Sequence, residues 1–133
     1  MKNLEHIGIA TDNLEAAIPL YEKLLNTPCY KQEEVASEGV RTAFFQTGEA
    51  KIELLEGFTE GSAITKFVAK KGNGLHHIAF EVEDIYQEME RLRQDGFQLL
   101  NEKPKAGADN KLVCFVHPKS AGGVLVELCQ EIK

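Results

Sequence analysis

Gly74-Leu75-His76-His77-Ile78-Ala79-Phe80-Glu81-Val82 is the stretch whose reading decides the fold. It alternates and is rich in apolar residues, which predicts a strand, and its two adjacent histidines must then point to opposite faces. Near the N-terminus Leu4-Glu5-His6-Ile7-Gly8-Ile9-Ala10 reads the same way, pairing His6 with His77 and Glu5 with His76. The echo continues. Asp12-Asn13-Leu14 follows the first strand and Glu83-Asp84-Ile85 the second at the same offset, and each opens a helix-like run. Each half then closes on a similar strand, Lys51-Ile52-Glu53-Leu54 and Leu125-Val126-Glu127-Leu128, with Gly48 and Gly122 just upstream. The period is too long for a solenoid, so the pattern predicts two copies of one module.

A chain of 133 residues is one domain by size and long enough to bury a core. The expected organisation is a single domain, with a first module over about 1–57, a linker helix over about 58–73 and a second module over about 74–133. The formal charge of −6 argues against nucleic acid as a partner. No apolar run approaches the roughly 18 residues a membrane span needs, and the N-terminus enters a strand without a secretory or transit pattern. Cys29, Cys114 and Cys129 are odd in number and far apart, which suits thiols packed as small apolar groups in a reducing cytoplasm.

Taken in order, the chain predicts a strand over 4–10 and then a helix capped by Asp12, with Glu15 completing a capping box. Leu14, Ala17, Ile18, Tyr21, Leu24 and Leu25 stand at helical spacing, Pro19 should kink the helix, and Asn26 and Pro28 end it. Strands follow over 29–35 (charged, suited to an edge), 40–46 and 51–55. In the second of these, one of Phe44 and Phe45 should face the core and the other a pocket. Ser62 should cap the linker helix, which ends at Gly72. In the second module Asp84 caps a helix with Gln87 in the box position, Ile85, Met89 and Leu92 form its buried stripe, and Gly96 closes it. A strand over 97–101, a polar loop over 102–110 able to lie over a ligand, and strands over 111–117 and 124–130 complete a β-α-β-β-β order, given twice. The fold class is α+β.

Four side chains stand out: His6, Glu53, His77 and Glu127. Each lies mid-strand among apolar neighbours, where an ionised carboxylate is costly unless paired or bound to a metal. A histidine on the first strand and a glutamate on the last, in both modules, point to one shared cation. No thiolate pair is available for a closed zinc site, so the mixed nitrogen–oxygen set suits an open, six-coordinate divalent ion: cobalt, manganese, nickel, iron or zinc. Four protein ligands leave two positions for a chelating substrate. Such a site suits proton abstraction beside a carbonyl, with the charge stabilised by the ion and the proton carried by a carboxylate.

These residues resemble the vicinal oxygen chelate superfamily and, within it, the methylmalonyl-CoA epimerase family. The resemblance is carried by Glu5-His6-Ile7-Gly8-Ile9-Ala10, by Ile52-Glu53-Leu54-Leu55-Glu56, by the 74–82 strand, and most specifically by His117-Pro118-Lys119-Ser120-Ala121-Gly122-Gly123-Val124-Leu125-Val126-Glu127-Leu128. It implies a curved, cup-shaped mixed sheet with flanking helices, of the glyoxalase and bleomycin-resistance kind. It implies a metal-dependent epimerase interconverting (R)- and (S)-methylmalonyl-CoA through a metal-stabilised enolate, with His6, Glu53, His77 and Glu127 as ligands of one ion per protomer, cobalt favoured. Glu127 and, by the pseudo-twofold symmetry, Glu53 are then the proton carriers. Lys119, Ser120 and His117 become candidates for binding the acyl-CoA, with Lys66, Lys70 and Lys71 a small basic cluster beside the nucleotide phosphates. A homodimer is implied, with the weak strand near 29–35 as its edge. Some members carry a glutamate where this chain has Thr42, a poor base. Other readings in the same fold are a glyoxalase I-like isomerase acting on a hemithioacetal and a non-catalytic small-molecule binder.

Overall fold

The two histidine strands form where the alternation predicts them. The computed structural model describes residues 1–132 of the chain. Its elements are β1 (Asn3–Ala10), α1 (Leu14–Leu25), β2 (Lys31–Val35), β3 (Val40–Thr47), β4 (Ala50–Gly57), α2 (Ala63–Lys71), β5 (Gly74–Glu81), α3 (Ile85–Gln94), β6 (Lys105–Ala106), β7 (Lys111–Val116) and β8 (Val126–Glu131). The order is β-α-β-β-β twice, with α2 between the copies, an α+β fold.

Two compact units result: His6–His76, and Met1–Glu5 together with the chain from His77 onward. In the first, the strands lie in the order β2-β3-β4-β1, with β1 parallel to β4 and the hairpin pairs antiparallel. Ile9, Ala43, Phe45, Ile52 and Leu54 share one face and pack on Leu14 and Ala17 of α1. On the other face Ala10, Val40 and Leu55 pack on Ile64 of α2. Gly57 ends β4 beneath the start of α2. A Cβ there would lie 2.7 Å from the Thr65 backbone nitrogen, so the close approach needs glycine. In the second unit the order is β5-β8-β7-β6, with β5 parallel to β8. Cys114, Val116 and Leu128 pack on Ile85, Met89 and Leu92 of α3, while Ala79, Val113 and Cys129 cluster on the opposite face.

The helix caps correct one expectation. Asn13, not Asp12, caps α1: its side-chain oxygen accepts the Ala16 N–H at 3.2 Å. Asp84 caps α3 by accepting the Tyr86 and Gln87 N–H groups at 3.1 and 3.2 Å. Asn13 is the residue that the internal echo pairs with Asp84, so the repeat places the cap where local pattern-matching misplaces it. Asp12 is held otherwise. Its N–H donates to the Asn73 side-chain oxygen at 2.9 Å, and its carboxylate accepts from Asn73 Nδ2 at 3.2 Å. Ser62 caps α2 as predicted, accepting the Ile64 and Thr65 N–H groups. Helix α1 runs through Pro19 unbroken. Pro19 lies on its exposed side, where the carbonyl it leaves unpaired meets water.

The second correction concerns 97–101, which forms no continuous strand. Only a single bridge, Leu99 to Val116, is made. Leu100 N–H donates to Phe115 O and His117 N–H to Gln98 O, both at 2.8 Å, but the Phe115 N–H goes to the Asn101 side-chain oxygen at 2.9 Å. A side chain that takes a ladder hydrogen bond ends the ladder. The missing edge strand appears instead as β6, inside the stretch predicted as loop, pairing Lys105 with Val113 and Ala106 with Leu112.

Asn13→Ala should lower unfolding stability by about 1 kcal/mol, read as a shift of the urea midpoint at unchanged slope. Asp12→Ala, which removes only an exposed side-chain contact, should cost less. An equal or larger loss at Asp12 would mean that the cap has been misassigned.

Candidate functional site

Strand parity decides which side chains can meet. In the first unit the register sets Gly8 beside Glu53 and His6 beside Lys51, so His6, Gly8, Lys51 and Glu53 share the face turned away from α1. His6 Nε2 lies 3.1 Å from Glu53 Oε1. In the second unit Ala79 is beside Glu127, so His77 and Glu127 share the face turned away from α3, and His77 Nε2 lies 3.2 Å from Glu127 Oε1. All four are buried: His6 6 %, Glu53 4 %, His77 5 % and Glu127 6 % exposed. A parallel pairing of first and last strand thus delivers the same imidazole–carboxylate contact in each unit.

Each pair is built further by its antiparallel neighbour. Phe44 stands directly across from Glu53 and Phe115 across from Glu127. The Phe115 ring meets the His77 imidazole edge-on, centroids 5.8 Å apart and planes at 87°. Phe44 is closed over by Tyr30, at 6.2 Å between centroids, and by the Lys31 ammonium at 5.5 Å. The sequence reading set one of Phe44 and Phe45 toward the core and the other toward a pocket; Phe45 packs on α1, and Phe44 lies buried on the Glu53 face. That reading passed over Phe115, although the offset that carries His6 to His77 also carries Phe44 to Phe115.

The donor chemistry of these pairs fits a divalent ion. Neighbouring donors around a six-coordinate ion with bonds of about 2.1 Å stand about 3.0 Å apart, close to the separation within each pair. Imidazole nitrogen with carboxylate oxygen, without thiolate, is the set that cobalt, manganese, nickel, iron and zinc accept. Cys114 offers no alternative nucleophile. It is fully buried, and that burial pushes its thiol pKa up.

The other candidates fall into three groups. His76 points away from His77 and packs edge-on against Phe67 of α2, centroids 4.9 Å apart at 88°. His117 caps the turn Pro118–Ala121: its Nδ1 accepts the Lys119 N–H at 3.1 Å, which puts the proton of the neutral ring on Nε2. Ser120 Oγ accepts the Gln98 N–H at 2.9 Å, and Lys119 is exposed on the same turn. Lys66, Lys70 and Lys71 are exposed on α2, with Lys71 over the Phe67 ring. Thr42 is fully buried on the Phe44 face and donates its hydroxyl to Glu33 O at 3.3 Å.

A twice-given β-α-β-β-β module, with a buried histidine on each first strand and a buried glutamate on each last, defines a class. Residues 5–115 match the family model of the Glyoxalase/Bleomycin resistance protein/Dioxygenase superfamily, and the chain belongs to that superfamily. Within it the chain falls among the methylmalonyl-CoA epimerases. It is 41 % identical to the ethylmalonyl-CoA/methylmalonyl-CoA epimerase of Cereibacter sphaeroides, over 96 % of each chain. It is 38 % identical to the mitochondrial methylmalonyl-CoA epimerase of Homo sapiens, over 96 % of this chain and 73 % of that one. A solved methylmalonyl-CoA epimerase in complex with methylmalonyl-CoA and NH4+ superimposes with a TM-score of 0.94 at 33 % identity, covering 98 % of this chain and 95 % of that one. Among the described residues no helix is long and apolar enough to cross a membrane.

The two adjacent histidines should separate cleanly by mutation. His76→Ala should cost about 1 kcal/mol of stability through the lost ring contact and leave divalent-ion binding within twofold, measured by denaturant titration and calorimetry. His77→Ala should remove ion binding.

Proposed function

We propose that His6, Glu53, His77 and Glu127 together hold one divalent ion per protomer, and that Glu127 and Glu53 carry the α-proton of methylmalonyl-CoA as its (R) and (S) forms interconvert. The observation that carries this reading is the repetition of one buried His–Glu pair, at 3.1 and 3.2 Å, on equivalent strands of the two modules. When bound, the ion supplies electrostatic stabilisation for the negative charge that develops on the thioester oxygen.

The protein groups do the proton work. Inverting the α-carbon requires removal of its proton on one side and delivery on the other, so two carriers are needed. Carboxylates serve in both directions, accepting as the anion and donating as the acid. Thr42 is no substitute: a neutral hydroxyl is far too weak a base to hold a proton near neutral pH, and this one is spent as a donor to Glu33 O. That leaves Glu53 and Glu127, each anchored by an imidazole that limits its rotamers. Phe44 and Phe115 exclude water beside them, so that reprotonation comes from the protein.

Among divalent ions we favour cobalt. On the turn Pro118–Ala121, His117 Nε2–H, the Lys119 ammonium and the Ser120 hydroxyl are donors suited to the pantetheine and phosphate groups of the CoA. We further propose a homodimer formed through the edge strand β2 and a cytoplasmic location, which suits three free thiols.

Proton NMR of methylmalonyl-CoA in D2O, with a mutase-coupled assay for stereochemistry, should show α-proton washout with inversion by the cobalt-loaded protein and none by the metal-stripped protein. Glu127→Gln should lose turnover at least a hundredfold and still bind cobalt; near-normal turnover would remove Glu127 as a proton carrier. No exchange with cobalt bound would redirect the reading to hemithioacetal substrates. Cobalt at about one hundred times its Kd should raise unfolding stability by about 2.7 kcal/mol, a gain absent in His77→Ala.

A further inference from the structure

The two modules differ in charge at one row of positions beside the site. Two residues before each buried glutamate, the first module carries Lys51 and the second carries Leu125. Lys51 is half-buried, directly cross-strand from His6, and on the same face as Glu53. Its other neighbour in the row is Gln46 of β3, also polar. Leu125 is half-buried too, held by its carbonyl accepting the Ile78 N–H at 3.2 Å, and strand alternation places it on the Glu127 face. The proton carriers are therefore matched while their flanks are not: one is flanked by an ammonium, the other by a hydrocarbon.

From this mismatch we infer that Lys51 binds the free carboxylate of the acyl-CoA and so fixes which way round the substrate lies. The inference rests on the function proposed above. A substrate with a carboxylate at one end of its reacting unit and a thioester at the other cannot be oriented by two equivalent His–Glu pairs. Electrostatics point the same way. Two ionised glutamates cancel the charge of a divalent ion, and the chain as a whole carries −6, so neither draws in an anionic substrate. A lysine on the same face, cross-strand from His6, supplies that attraction, and Leu125 offers the thioester side an apolar flank. Lys51 is a substrate-orienting residue, distinct from the proton carriers and from the ion's ligands.

The test compares two CoA thioesters differing in the free carboxylate. Binding of malonyl-CoA and of propionyl-CoA to the cobalt-loaded protein is measured by calorimetry for the wild type, Lys51→Met and Lys51→Arg. Lys51→Met should weaken malonyl-CoA about tenfold or more, the usual scale of one lost charge-assisted hydrogen bond. Propionyl-CoA binding and cobalt affinity should change less than twofold, and Lys51→Arg should recover most of the malonyl-CoA affinity. An equal loss for both thioesters would assign Lys51 to the CoA tail and overturn the inference, as would no loss for either. The unchanged propionyl-CoA arm also certifies that the variant is folded. If wild-type protein with cobalt bound neither binds malonyl-CoA nor exchanges the α-proton of methylmalonyl-CoA, the proposed function itself fails. If wild type does both and Lys51→Met matches it, only the role of Lys51 fails.

Discussion

A carboxylate kept from water against a phenylalanine ring is the constraint on which the rest of this structure turns. Glu53 and Glu127 are each almost wholly buried, and each lies within hydrogen-bond distance of an imidazole nitrogen. Desolvating a carboxylate costs several kcal/mol, which one neighbouring group returns only in part. A leucine at either position would make a more stable strand. The pairs therefore do not stabilise the fold, which suits the ligand role proposed for them, and the packing elsewhere must carry their cost. It does so through the cores beneath α1 and α3, where Phe45, Leu54, Ile85, Met89 and Leu128 are at most 2 % exposed.

Parity is what keeps those two demands apart. Along β4 the apolar Ile52 and Leu54 alternate with Glu53, and along β8 Val126 and Leu128 alternate with Glu127, so the faces under α1 and α3 take hydrocarbon and the opposite faces carry the donors. A slip of one residue in either strand would put the glutamate under the helix and the leucine in the site. The parallel pairings His6 to Lys51 and Ile78 to Val126 fix that register with backbone hydrogen bonds. Phe44 and Phe115, across the antiparallel hairpins, fix it again through their side chains.

How much of this could be read in advance depended on whether a feature was repeated. The histidine and glutamate strands, the cap of α3 and the opposite faces of Phe44 and Phe45 follow from alternation and from the echo between the halves, while the Ser62 cap of α2 is legible from its local pattern alone. The cap of α1 went to Asp12 because a capping box was sought locally, while the echo itself pairs Asn13 with Asp84. Residues 97–101 went wrong for the opposite reason. There the first module has a five-residue strand, and the second has Asn101, whose amide oxygen takes the Phe115 N–H and interrupts the pairing. No propensity reveals a side chain bonding fourteen residues away. Phe115 itself was missed because a phenylalanine in a strand reads as core, and only the register shows it standing over His77.

Matching is also what the chemistry asks of such a module. Two epimers of one thioester differ little in free energy, so the forward and reverse proton transfers are nearly thermoneutral. Proton transfer in both directions is then fastest when the two carriers have similar acidity, since a weaker acid on one side would slow one direction as much as it helped the other. Two unrelated residues would have to be tuned separately to meet that condition. A repeated module supplies a common geometry: each glutamate is buried, lies 3.1 or 3.2 Å from its imidazole and stands across from a phenylalanine. With the proton-carrier roles proposed above, the internal repeat serves the activity as well as recording how the chain arose, and departures from it, such as lysine against leucine beside the glutamates, are where discrimination between the ends of the substrate would reside.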